Sequence, residues 1–99
     1  MNHNYDVIII GGGRVGFQIA RIFKRLDIRF IVVEMDHRRF EQVKKAGMAA
    51  VYGDASQPVV LDAAGVDDAS LCIVTLPDLV TDRAVIVHAK SRNPDLTVV

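Results

Sequence analysis

Cysteine is nearly missing: Cys72 is the only one in 99 residues. No disulfide can therefore close within the chain, and a reducing cytosol is the expected compartment. An excess of one charge is missing too. Twelve Lys and Arg balance twelve Asp and Glu, which excludes the basic signature of a general nucleic-acid or membrane-surface binder. No apolar run approaches the roughly 18–20 residues that cross a bilayer. Residues 1–6 lack the basic-then-apolar layout of a secretion signal. There is also no linker, internal repeat or low-complexity stretch. What remains has the size of one domain, and with 51% apolar residues it can build a core. The expectation is a single soluble domain over residues 1–99. Leu96-Thr97-Val98-Val99 reads as a strand barely begun, so a longer parent protein is expected.

What is present is an alternation. Residues 6–10 and 30–33 are short, β-branched and apolar, and residues 49–52, 71–75 and 97–99 repeat that character more weakly. Apolar runs without polar alternation suit strands covered on both faces, as in a parallel sheet. Between them lie helical patterns. Val15, Ile19, Ile22, Phe23 and Leu26 have the spacing of one inward face. Residues 37–46 predict a second helix with Phe40, Val43 and Ala46 inward and Gly47 as its stop. Pro58 suits the first turn of a third, over residues 58–64. A fourth starts at Asp78 as N-cap and runs to Arg92, before Asn93-Pro94. Strand and helix alternating with short connections predict an α/β, Rossmann-like, doubly wound parallel sheet. The strand order is 3-2-1-4-5, with helices on both faces and the sheet truncated after strand 5.

The first strand runs straight into Gly11-Gly12-Gly13-Arg14-Val15-Gly16. Gly11, Gly13 and Gly16 have the G-x-G-x-x-G spacing between a strand and a helix. In that setting the first turns the chain tightly, the second leaves room for a pyrophosphate, and the third lets the helix pack close. The helix start then offers free N–H groups and partial positive charge to phosphates. The second strand ends at Glu34, eighteen residues past Gly16. A carboxylate there accepts hydrogen bonds from the ribose hydroxyls and repels a 2′-phosphate. This favours NAD(H) or an adenine mononucleotide (AMP, ADP or ATP) over NADP(H). His37, Arg38 and Arg39 are able to hold a 2′-phosphate or to be a solvated helix start, and Glu34 argues for the second. Ligands of open α/β sheets sit over the carboxyl ends of the strands. There, Asp54 and Ala55 are placed to flank the adenine, or to form an ordinary turn after Gly53. Thr75, Leu76 and Pro77 are placed to approach the phosphates or the far nucleoside.

GGGRVG, VVEMD, AGMAAVYGDAS and LDAAGVDDASLCIVTLPD together resemble the KTN/RCK-type (TrkA-N) domain of potassium channels, Trk-type uptake systems and Kef-type cation/proton antiporters. The resemblance spans nearly the whole chain and is closest to the antiporter branch. It implies a ligand-gated regulatory module, not an enzyme, which binds NAD(H), AMP, ADP or ATP at the cytoplasmic face of a membrane. Such a module forms homodimers and passes a change of shape to a membrane transport unit. Carried over by position, Gly11, Gly13, Arg14, Val15 and Gly16 hold the phosphates. Glu34 holds the ribose, Met35 and Asp36 line the adenosine side, and Asp54 with Ala55 borders the base. Asp82 departs from the asparagine common in the family; an acid near a phosphate tail is repulsive, which counts against a full dinucleotide and leaves AMP-sized ligands open.

The fourth helix spreads Leu79, Val80, Ala84, Val85, Ile86, Val87 and Ala89 around most of its circumference. That asks for burial on two sides, and so for a homodimer contact through residues 78–92. Phe17, off the inward face of the first helix, adds to that expectation. The alternative class is the NAD- or FAD-binding half of an oxidoreductase. Against it, His3, His37 and His88 are not placed as proton donors beside a nicotinamide. Cys72 reads as core, and no His/Cys cluster has metal-ligand spacing. A further alternative is a dimerisation scaffold that has lost its ligand; the intact glycines and Glu34 argue against it.

Overall fold

A computed structural model describes residues 4–76 and 79–99. The elements alternate as β1 (Val7–Ile10), α1 (Arg14–Arg25), β2 (Phe30–Glu34), α2 (His37–Lys45), β3 (Ala50–Tyr52), α3 (Pro58–Ala63), β4 (Leu71–Val74), α4 (Leu79–Arg92) and β5 (Thr97–Val98). A 3₁₀ turn, Val66–Asp68, precedes β4. All strand pairs are parallel, in the order β3-β2-β1-β4-β5. The topology predicted from the alternation is the one observed.

β1 and β2 are buried along their whole length, which is why their sequences lack polar alternation. Alternate residues feed two cores. Val7, Ile9 and Val32 pack with Ala20 of α1 and Val43 of α2 on one face. Ile8, Ile10 and Val33 pack with Leu61 of α3 and Val85 and Ala89 of α4 on the other. Right-handed crossovers leading outward in opposite directions from β1 place helices on both faces in this way. Gly47 and Gly65 lie past the ends of α2 and α3 with φ of +80°.

Two expectations about α1 are corrected. Of the five residues predicted to face inward, Val15, Ile22 and Leu26 are 61%, 51% and 63% exposed. The residues α1 buries are Gly16 and Ala20. A helix lying tight on a strand needs small residues at the line of contact, so its larger apolar side chains are pushed to the flank. Phe17, expected to point away, is half-buried and packs on the α1/α2 core. In α2, Val43 is fully buried and Phe40 and Ala46 half-buried. In α4, Val85 and Ala89 face the core while Ile86 and Val87 are exposed. The Asp78 cap lies outside the described residues.

Candidate functional site

The carboxyl ends of β1, β2, β3 and β4 meet at one edge of the sheet, and every predicted site residue within the described residues lies there. Gly11 continues β1 by donating its N–H to the Val33 carbonyl at 2.8 Å, then turns with φ +101°. A Cβ at Gly11 would also lie 2.5 Å from Thr75 Oγ1. The Thr75 hydroxyl donates to the Ile10 carbonyl at 2.7 Å and lies 3.2 Å from that of Gly11. Thr75 is therefore a clamp on the loop. Gly16 has no spare room, because a Cβ there would fall inside the shell of the Gly11 carbonyl oxygen.

Gly13 occupies the N-cap of α1, with no side chain to fill it and no acid in the first turn. The amides that open a helix lack intrahelical partners, and among the described residues no side chain caps this one. They carry the partial positive end of the helix dipole toward the crevice. Around Gly13 there is space: the nearest atoms to a Cβ at that position belong to the Arg39 guanidinium, 3.4 Å away.

Glu34 is the one buried charged residue among those described, 6% exposed. Its Oε1 accepts the Gly12 N–H at 2.5 Å and its Oε2 accepts the Asp36 N–H at 2.7 Å. The carboxylate thus ties the glycine loop to the end of β2, and each oxygen keeps a lone pair for a further donor. Asp36 lines the same edge but points its carboxylate at its own helix, capping α2 through the Arg39 N–H at 3.1 Å. That backbone hydrogen bond holds the Asp36 carboxyl below its usual value. Asp54 is likewise engaged locally, accepting from the N–H and hydroxyl of Ser56 at 2.9 and 2.8 Å.

Two hollows flank this loop. A narrow crevice of about 40 Å³ is bounded by Gly11, Met35, Asp54, Ala55 and Leu76, with Ile10, Val33 and Gly53. An open basin of about 280 Å³ is bounded by Gly12, Gly13, Arg14 and Arg39, with Phe17, Gln18 and Gln42. Gln18 and Gln42 carry no signal in the sequence; only the packing of α1 against α2 brings them together. Val15 is exposed at the start of α1, and Pro77 lies outside the described residues. Asp82, in the first turn of α4, has one carboxylate oxygen closed off from solvent with no hydrogen-bond partner among the described residues. An acceptor in that state is costly and calls for a donor.

The remaining chemistry-bearing residues lie apart. His37 pairs with Glu41 at 3.6 Å on the exposed start of α2, and His88 is half-buried in α4. His3 lies outside the described residues. Cys72 is fully buried, and burial pushes its thiol up to about 12, so it carries no thiolate at neutral pH.

With this geometry, the similarities to known proteins are informative. The family model of the TrkA-N domain matches residues 7–99. The glutathione-regulated potassium-efflux system protein KefC of Enterobacter sp. (strain 638) is 30% identical over 93 residues, which is 94% of this chain and 15% of that protein. The chain thus spans a small part of the length of this relative. The crystal structure of the TrkA-N domain of the inner membrane protein YbaL from Escherichia coli superposes with a TM-score of 0.90 at 25% identity, over 96% of this chain and 70% of that one. Two further structures share the fold. The Kef C-terminal domain of Shewanella denitrificans, in AMP-bound form, has a TM-score of 0.74 at 24% identity, over 93% of this chain and 54% of that one. The GsuK channel bound to NAD has 0.84 at 19%, over 96% of this chain and 17% of that one. No helix among the described residues is long and apolar enough to cross a membrane. The strand order, the glycine loop and the family match agree: this chain belongs to the TrkA-N domain family.

Proposed function

We propose that this chain is an adenine-nucleotide-binding regulatory domain, of the NAD(H)/AMP/ATP class, which gates a potassium or cation/proton transport system from the cytoplasmic face of the membrane. It is not itself an enzyme. The observation that carries this reading is the uncapped start of α1 beside the Glu34 carboxylate, which lies 2.5 Å from the Gly12 amide. Phosphates suit the open amides, with Arg14 and Arg39 on the basin side, and the ribose diol suits the free lone pairs of Glu34. The AMP and NAD held by the Kef domain and the GsuK channel support the same class of ligand here. The charge of Glu34 disfavours NADP(H).

The size of the crevice supports gating. It is narrow, about 40 Å³ between Leu76 and Met35, and a base seated there would press on both side chains. Leu76 lies three residues before Leu79, where α4 starts, and a displacement of Leu76 is the step that would reach that helix. Exposed Ile86 and Val87 on α4 suit a homodimer contact able to pass the shift to a second copy and to the transport unit. Regulation requires bound and empty states to differ in ligand affinity, and a base pressing on Leu76 and Met35 would supply the difference.

The test is thermal unfolding with NAD⁺, NADH, NADPH, AMP, ADP and ATP. A bound nucleotide at ~100 times its dissociation constant adds about 2.7 kcal/mol. Stabilisation by AMP or NADH without NADPH is the expected result. No stabilisation by any adenine nucleotide overturns the reading, and so does hydride turnover with a candidate substrate.

A further inference from the structure

The α1/α2 layer carries a second concavity, on the other flank of α1 from its exposed Val15, Ile22 and Leu26. A hollow of about 540 Å³ lies between that flank and the turn from α2 to β3, lined by Phe17, Arg21, Lys24, Arg25, Ala46 and Met48. That volume is in the range of small-molecule sites. Its floor is apolar: Met48 is 7% exposed, and Phe17 and Ala46 are half-buried against the core. Its rim is cationic. The Lys24 ammonium donates to the Ala46 carbonyl at 2.5 Å, which fixes it as a wall. Arg21 and Arg25 make no ion pair or side-chain hydrogen bond among the described residues.

These cations are crowded. α1 contains Arg14, Arg21, Lys24 and Arg25 and no acid. Arg21 lies three residues from Lys24 and four from Arg25, spacings at which like charges repel across a helix surface. The negative end of the helix dipole accounts for Lys24 and Arg25 in the last turn but not for Arg21 above an apolar floor. An anion at the rim relieves the repulsion, an uncharged guest leaves it, and a cationic guest worsens it.

We propose that this hollow binds an amphiphilic anion, a small molecule whose apolar body lies on Phe17, Ala46 and Met48 and whose carboxylate or phosphate head sits between Arg21 and Arg25. The site is separate from the glycine loop, and the proposal does not rest on nucleotide binding. The test is calorimetric titration with sodium decanoate, decyltrimethylammonium and decyl maltoside, each below its micelle-forming concentration, alongside sedimentation with phosphatidylglycerol vesicles. The expected result is saturable one-site binding of decanoate alone, with a shift of the Met48 methyl resonance. The Arg21→Ala/Arg25→Ala double variant, altered only at exposed positions, should weaken it about threefold or more while keeping its circular dichroism spectrum. The proposal is overturned if the cationic or neutral amphiphile binds as well as decanoate, if the double variant binds like the parent, or if only vesicles bind.

Discussion

Helices α1 and α2 both start at the carboxyl edge of the sheet, yet they open in opposite ways. α2 closes itself: Asp36 sits at its N-cap and takes the Arg39 amide. α1 begins at Gly13, with no side-chain cap and no acid in its first turn. One start is finished by its own sequence; the other leaves its donors for something the chain does not contain. A side-chain cap is a common and cheap stabiliser, so its omission at the loop with the tightest glycine constraints is what the proposed ligand site rests on.

The contrast can be broken most severely at Gly16. Gly16→Val would drive a side chain into the Gly11 carbonyl, and loss of folding, or about 4 kcal/mol or more of stability, is expected by chemical denaturation. Gly13→Val, in the same loop, meets only the movable Arg39 side chain. It should keep a near-parental Tm and lose adenine-nucleotide binding by about a hundredfold or more, as measured by calorimetry. Nucleotide binding retained in Gly13→Val would remove the phosphates from this loop.

Glu34→Ala is the next step down. It leaves the Gly12 and Asp36 amides without their acceptors, so a loss of about 1–3 kcal/mol is expected by urea unfolding. Weaker AMP and NADH binding and relaxed discrimination against NADPH should accompany it. Asp36→Ala should have a smaller effect, lowering Tm slightly while leaving nucleotide affinity close to the parent's, because this cap serves α2 alone. The pH dependence has a definite sign. The Arg39 amide lowers the Asp36 pKa in the folded state, so the cap contributes fully above the ordinary carboxyl value, about 3.9. That contribution fades as pH falls through the lowered value, and the Arg39 amide resonance in an acid titration reads it directly. The smallest effect is expected at Asp82→Asn, which supplies a donor where an unpartnered carboxylate oxygen now lies. A modest gain in NADH affinity relative to AMP is predicted, and equal affinities for parent and variant would detach Asp82 from the dinucleotide tail.

Much of this was legible in the residues. β1 and β2 announce themselves because both faces are buried, and the order of the sheet follows from alternation and handedness. The loop glycines and Glu34 are legible because their spacing is set by one turn off one strand. The buried face of α1 was not. Apolar spacing points to Val15, Ile22 and Leu26, whereas close packing on β1 selects Gly16 and Ala20; small residues carry no hydrophobic signal however deeply they are buried. Thr75 was legible as a residue of this edge but not as a clamp, because its hydrogen bond to Ile10 depends on the β1–β4 register. Asp36 was legible as a residue of that edge but not as the cap of α2, which depends on its carboxylate meeting the Arg39 amide.

Cys72 sits in β4, between β1 and β5, with no surface of its own. Thiol reagents and disulfide partners can reach that sulfur only when the sheet comes apart, so redox buffers have no grip on the folded domain through it. The same seclusion makes it a natural gauge: the rate at which a labelling reagent consumes this single thiol counts how often the fold around β4 opens, and any molecule that stabilises the folded domain should slow that clock.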